Sequence, residues 1–202
     1  MVDGLLTSLE NKGRWETAFY TFGSNHSSLI GLLVDWWIYN GDQREVLEAP
    51  PWSASKKEKG QPCDAILIEK GICKGIVEVE GSNYINAIDR MVKYIVPGNG
   101  FWQLEFGIFL AYPTKRAHME KPLPIDHFVE KGRVVTKEHQ IQLIILTLDK
   151  KWDPQTEGPR VRGPRGQNNY RHDYYNGKPC RLTGVLIEGG EEITKRRVFR
   201  EV

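Results

Sequence analysis

Three carboxylates stand out by type and spacing. Asp64 opens a β-like run, Asp64 to Glu69, and Glu78 and Glu80 close a second, Lys74 to Glu80, with a turn signal at Lys70-Gly71 between them. Side chains two apart on a strand share a face, so Glu78 and Glu80 point the same way and Val79 points into the opposite layer. A hairpin brings Asp64 beside them. Three carboxylates at one end of a sheet repel one another. A hard cation such as Mg²⁺, which takes oxygen ligands and keeps several waters, relieves that repulsion. The same ion activates water and stabilises the charge on a phosphodiester as it is cleaved. Asp64, Glu78 and Glu80 are therefore the candidate catalytic and metal-binding set, with Mg²⁺ expected and Mn²⁺ as a substitute. The plain alternative is that two glutamates on one strand face are only its solvent side. Against it, Gly81-Ser82 and a helix start follow Glu80 directly, where sites of mixed sheets tend to lie.

A second group could meet nucleic acid. The net charge of +2 says little, but its distribution says more. Between Pro159 and Arg181 six basic residues (Arg160, Arg162, Arg165, Arg171, Lys178, Arg181) face one acid, Asp173. Asn168, Asn169, Tyr170, Tyr174 and Tyr175 share the segment. Arg supplies salt-sensitive phosphate contacts, and Arg and Asn read guanine and adenine edges. The segment is expected to bind double-stranded DNA, the bland reading being a passive linker. Arg90 and Lys93 fall on the polar side of a helix, where they could meet phosphates or simply be solvated.

The elements that must position these residues follow from periodicity. Ser24 to Tyr39 reads as a helix, with Leu29, Leu32, Leu33, Trp36 and Trp37 at helical spacing and Gly41 as its stop. A short strand is expected at Arg44 to Glu48, then the acidic hairpin. Ser82 caps a helix from Asn83 to Ile95 with an apolar stripe through Tyr84, Ala87, Ile88, Met91 and Val92. Phe106 to Tyr112 and Gln140 to Leu148 read as buried strands, with a helix near Ile125 to Lys131 between them. Beyond Trp152 a Gly/Pro/Arg/Asn-rich stretch leads to a hairpin, Arg181 to Ile187 and Ile193 to Arg200, around Gly189-Gly190. The strand-helix-strand order after the hairpin predicts an α/β fold with a mixed central sheet flanked by helices. At 202 residues this is expected to be one domain: a core of about 24–150, then a basic loop and C-terminal hairpin over about 153–202.

Several classes are set aside. Cys63, Cys73 and Cys180 are odd in number and lack CxxC spacing, so reduced thiols are expected rather than a disulfide framework or zinc ribbon. His118, His127 and His139 show no HxH or HExxH pattern, and His26 stands alone. There is no GxSxG elbow. No signal-peptide pattern is present, and apolar runs are too short to span a bilayer, so a cytoplasmic protein without a membrane partner is expected.

Gln61-Pro62-Cys63-Asp64, thirteen residues, then Glu78-Val79-Glu80 resembles the PD-(D/E)xK signature of the restriction-endonuclease-like superfamily. The resemblance spans roughly Ser24 to Leu148, although its specific part is a handful of residues. It implies a helix, a three-stranded meander, a helix and a further strand, with the acids binding Mg²⁺ for phosphodiester hydrolysis. Asp64 would be the second acid of the motif and Glu78 the third. Glu80 takes the place of the usual lysine, as it does in some restriction enzymes, where it could ligate a second metal or act as general base. Lys74, counted by twos from Glu78, is a substitute for that lysine. Glu16 and Asp35 are candidates for the acid that such proteins often add from the first helix. The resemblance further implies a type II restriction endonuclease acting as a homodimer. A repair or recombination nuclease on branched DNA, or a nucleic-acid-binding protein of the same fold without catalysis, are the alternatives.

Overall fold

The computed structural model describes residues 4–5, 26–48, 63–81, 84–92, 102–112, 123–150, 180–194 and 197–200. Helix α1 (His26–Tyr39) leads into β1 (Arg44–Glu48), β2 (Ala65–Glu69) and β3 (Ile72–Glu80). A 3₁₀ turn (Tyr84–Asn86) and α2 (Ala87–Val92) precede β4 (Trp102–Ala111). Helix α3 (Ile125–His139) connects to β5 (Gln142–Lys150), followed by β6 (Cys180–Glu188), β7 (Glu191–Glu192) and β8 (Arg197–Arg200). The eight strands form one sheet in the order β1-β2-β3-β4-β5-β6-β7, with β8 also paired to β6. The expected α/β fold with a mixed sheet and flanking helices is what the chain adopts.

Local chemistry sets the turns. Lys70 and Gly71 both take positive φ, 52° and 76°, the geometry that a two-residue hairpin between right-twisted strands demands. Gly189 and Gly190 do the same between β6 and β7, at 58° and 89°. Strands β1, β2 and β3 form an antiparallel meander, while β3-β4 and β4-β5 pair in parallel, each across a helical connection, and β6 returns antiparallel to β5.

The two faces of the sheet are separate aliphatic layers. On one, Leu29, Leu33 and Trp37 of α1 pack over Ala65, Leu67, Val77, Val79, Phe106, Ile108, Leu110 and Ile144. On the other, Ala87, Ile88 and Met91 of α2 and Phe128 and Val129 of α3 pack over Ile66, Ile76, Phe109, Ala111, Leu143 and Ile145. Near-complete removal of these side chains from water is the main stabilising contribution, at roughly 25 cal/mol per Å² of apolar surface. Trp37 pins α1 to the meander: its indole N–H donates to the carbonyls of Glu45 and Ile68, each at 3.2 Å. Arg44 lies 4.0 Å above the same ring and bonds Glu69 at 2.9 Å.

Several boundaries depart from the sequence reading. Strand β4 starts at Trp102, four residues before Phe106, and α3 continues to His139, eight residues past Lys131. Its additional turns bury Gly132, Val135 and Thr136 rather than large apolar residues. A Cβ on Gly132 would stand 2.7 Å from Ile187 and 3.0 Å from Leu143, so the missing side chain is what lets the helix approach the sheet. The far strand of the C-terminal hairpin is divided, β7 and β8 pairing with different halves of β6. The basic stretch from about 153 to 179 lies outside the described residues. Among the described residues, no helix is long and apolar enough to cross a membrane.

Candidate functional site

Asp64 sits just before β2, and two hydrogen bonds fix it against β3. Its backbone N–H donates to the Val77 carbonyl at 2.9 Å, and its carboxylate Oδ2 accepts the Val79 N–H at 2.7 Å. The two contacts bracket Glu78. Asp64 lies just outside the paired β2–β3 register, which ends at Ala65 opposite Val77, and its two bonds set it beside Glu78. Ile66 and Ile76 belong to the layer beneath α2 and α3, and Val77 and Val79 to the layer beneath α1. By alternation Glu78 and Glu80 belong to the α2/α3 face.

Burial divides the three. Glu78 is 7% exposed, whereas Asp64 and Glu80 are half-buried. Glu80 stands roughly 7 Å further along the strand from Glu78, at its carboxyl end, where its carbonyl accepts the Tyr112 N–H at 3.1 Å. Among the described residues, no group of three or more His, Cys, Asp and Glu side chains is gathered tightly enough to hold one ion. The arrangement is thus a close pair, Asp64 and Glu78, with Glu80 one step outward.

Cys63 completes the surroundings. Burial pushes its thiol well above the usual range, and the charges of Glu78, Cys73 and Asp64 push in the same direction. The thiol is held protonated next to the acids, leaving oxygen as the charged donor type. Burial likewise raises the Cys73 thiol, to about 12. Cys63 and Cys73 are not joined by a disulfide.

Two carboxylates fit a Mg²⁺ ion, which usually takes one or two from protein and completes its octahedron with water and substrate oxygens.

The remaining candidates divide by position. Lys74 bonds Glu105 at 2.5 Å. Counting by twos from Glu78 to Lys74 fails, because the pairing of β3 shifts between Cys73 and Gly75 and both Cys73 and Ile76 lie in the same layer. Asp35 is exposed on α1, which packs on the opposite face from Glu78, so it does not join the acids. His127 is in the first turns of α3 and its Nε2 is buried without a hydrogen-bond partner, while His139 ends that helix. Arg90 is on α2, its side chain outside the described set; Glu16, Lys93, His118, Arg160, Arg162, Arg165, Asn168, Asn169, Tyr170 and Arg171 lie outside the described residues altogether. Two features escaped the sequence reading. One is the Asp64–Val79 bond, which needs the tertiary register to be visible. The other is Thr147 on β5, 1% exposed, whose hydroxyl has no hydrogen-bond partner among the described residues. No protein-family model, curated protein or solved structure matches the chain.

Proposed function

We propose that this chain is a metal-dependent endonuclease that hydrolyses DNA phosphodiester bonds at Asp64, Glu78 and Glu80. The observation that supports this reading best is the bracketing of buried Glu78 by Asp64, whose carboxylate is held by the Val79 N–H at 2.7 Å. Two carboxylates held side by side repel each other, and a bound cation would offset that repulsion. Bound there, Mg²⁺ would polarise a phosphodiester oxygen and help to activate water. Asp64 and Glu78 would hold it. Glu80, more exposed and one step towards the strand end, is suited to take a proton from the attacking water as general base. The water oxygen would form a new bond to phosphorus as the P–O bond to the departing oxygen breaks, and that oxygen would take its proton from solvent.

Within this reading the finer proposals are a type II restriction endonuclease, a homodimer, and double-stranded DNA held partly by the basic segment around Arg160, Arg162, Arg165 and Arg171. The decisive experiment assays cleavage of mixed genomic and branched DNA with Mg²⁺. Asp64→Asn and Glu78→Gln should each abolish it while the protein remains folded; wild-type-like cutting by either variant refutes the assignment. Cutting confined to branched substrates would indicate the repair or recombination alternative. A second reading has its own support. The Asp64 carboxylate also serves strand pairing, and Glu80 replaces the usual lysine, both of which suit a DNA-binding protein of the same fold without catalysis. It predicts Ca²⁺- or Mg²⁺-supported DNA binding without cleavage by the unaltered protein.

A further inference from the structure

Carboxylates at one end of a sheet repel the phosphates of a strand they are to cut, so a duplex must draw its affinity from cations elsewhere. Several of the described cations are already engaged: Arg44 with Glu69, Lys74 with Glu105, Lys131 with Asp89 and Arg133 with Glu192. A second basic run lies near the C-terminus, where Lys195, Arg196, Arg197 and Arg200 are four bases within six residues that include no acid. Strand β8 carries Arg197 and Arg200. The pairing register runs in one row from Glu80 to Ala111 of β4, to Thr147 of β5, to Thr183 of β6 and to Val198 of β8. Strands β3, β4 and β5 are parallel, β6 opposes them and β8 opposes β6, so β8 runs the same way as β3. Arg200, paired with Leu182, therefore lies at the carboxyl end of the parallel strands, as Glu80 does. Ligands of open α/β sheets bind at that end. Lys150 and Cys180, which bound the segment 151–179, are paired there too.

We propose that β8 is a contact strip for the phosphate backbone of the duplex cut at the acid site, with Arg197 and Arg200 neutralising phosphates remote from the scissile bond. The inference rests on the nuclease reading above and deepens it by locating the duplex: across the carboxyl ends of the strands, from β3 to β8. Four strand spacings separate Glu80 from Val198, about 19 Å between backbones. That span exceeds the major groove, about 12 Å wide, so the two ends of the row meet well-separated phosphates of one duplex. Such contacts fix the position of the duplex and carry no sequence information of their own. A basic edge strand has a rival role, since charged side chains keep an unpaired edge from joining another molecule. Among the described residues β8 pairs only with β6, so that role has the same starting point. The two roles differ in what is lost when the charges go.

Arg197→Gln with Arg200→Gln, and Arg197→Lys with Arg200→Lys, test this in the full-length protein. Lys131→Gln with Arg133→Gln is the control, removing two charges held by Asp89 and Glu192. The readouts are light scattering for self-association and affinity for a short DNA duplex across a salt series, with Ca²⁺ in place of Mg²⁺. Two lost phosphate contacts flatten the log-log salt slope by about 1.8, which over the decade below 1 M salt weakens binding about 60-fold at 0.1 M. The glutamine variant should show both changes. The lysine variant keeps the charges and should retain the wild-type slope, as should the α3 control. Wild-type affinity and slope in the glutamine variant overturn the proposal, and self-association of that variant with unchanged duplex binding assigns β8 to edge protection instead. An equal loss in the lysine variant makes the arginines structural, and an equal loss in the α3 control makes net charge the cause; either overturns the proposal. Mg²⁺-dependent cleavage by the unaltered protein is measured first. Its absence overturns the nuclease reading and this inference with it, whereas a cleaving protein indifferent to the β8 changes overturns this inference alone.

Discussion

Replacing Asp64 separates what its carboxylate does for the fold from what it does for a cation. Its Oδ2 accepts the Val79 N–H at 2.7 Å, a short bond to an ionised acceptor, and Val79 is 2% exposed. Asp64→Ala removes the acceptor and leaves a main-chain donor inside the sheet without a partner, at a cost of about 1–3 kcal/mol. In a chain of this size each kcal/mol shifts the melting temperature by about 2–4 °C, so Asp64→Ala should melt roughly 2–12 °C below the wild type. Asp64→Asn keeps an oxygen acceptor, loses the charge assistance and relieves repulsion with Glu78. Those effects oppose each other, and the net change should stay within about 1 kcal/mol, an exchange of one weaker bond for one less repulsion. The assay is thermal unfolding in chelator and again across a Mg²⁺ series. A cation bound to the native state alone stabilises it by about 2.7 kcal/mol at a hundred times its dissociation constant. The wild type should show that rise, and both variants should lack it. If Asp64→Ala melts with the wild type in chelator, the Val79 bond contributes nothing to stability. If Asp64→Asn retains the Mg²⁺ response, the cation is not held by this residue.

Glu80→Ala should lose most cleavage while keeping the Mg²⁺ melting shift, with Glu80→Lys recovering part of it by restoring the usual motif; normal cutting by Glu80→Ala assigns Glu80 to the surface. The raised Cys73 thiol makes a pH prediction: the folded protein keeps a proton that the unfolded chain releases near pH 9, so the stabilising contribution is complete below about pH 9 and is lost as pH rises towards about 12. Melting temperature should therefore fall through that window, and Cys73→Ala should flatten the decline; an unchanged alkaline profile in the variant removes Cys73 as its cause. Changing Arg162 and Arg165 together to Ala should weaken duplex binding and flatten the log-log salt slope by about 2 if both contact phosphates. Loss of base contacts would instead relax sequence preference with the slope near wild type. Unchanged affinity, slope and specificity would return the segment to a linker.

What was legible in the sequence was whatever local rules control. The Lys70-Gly71 hairpin, the shared face of Glu78 and Glu80, the mixed sheet and the helix α1 all follow from turn chemistry and periodicity. Errors arose where small residues do the work of large ones. The end of α3 buries Gly132 and Thr136, which a search for apolar side chains passes over, so the helix reads eight residues short. Gly75 is the sequence sign of this departure: a glycine inside a strand often marks a bulge, and the irregularity beside it breaks the alternation between Lys74 and Glu78. A Cβ there would meet the Phe106 ring at 2.5 Å, which is why no larger residue occupies the position. Thr147 hid in an apolar run, since one hydroxyl among Leu and Ile does not disturb a strand pattern.

The bracketing of Glu78 by Asp64 also bears on quality control during folding. Strand side chains alternate, so sliding β3 by one residue against its neighbours would turn Val77 and Val79 towards α2 and α3 and drive Glu78 into the aliphatic layer under α1. The same slip would carry the Val79 N–H away from Asp64. A misaligned molecule would therefore lose its packing and its acid pair in a single event. No stable population with an intact core and a scrambled site should accumulate, because one alignment of one hairpin specifies both. A growing chain thus brings Asp64 beside Glu78 only at the moment its interior closes.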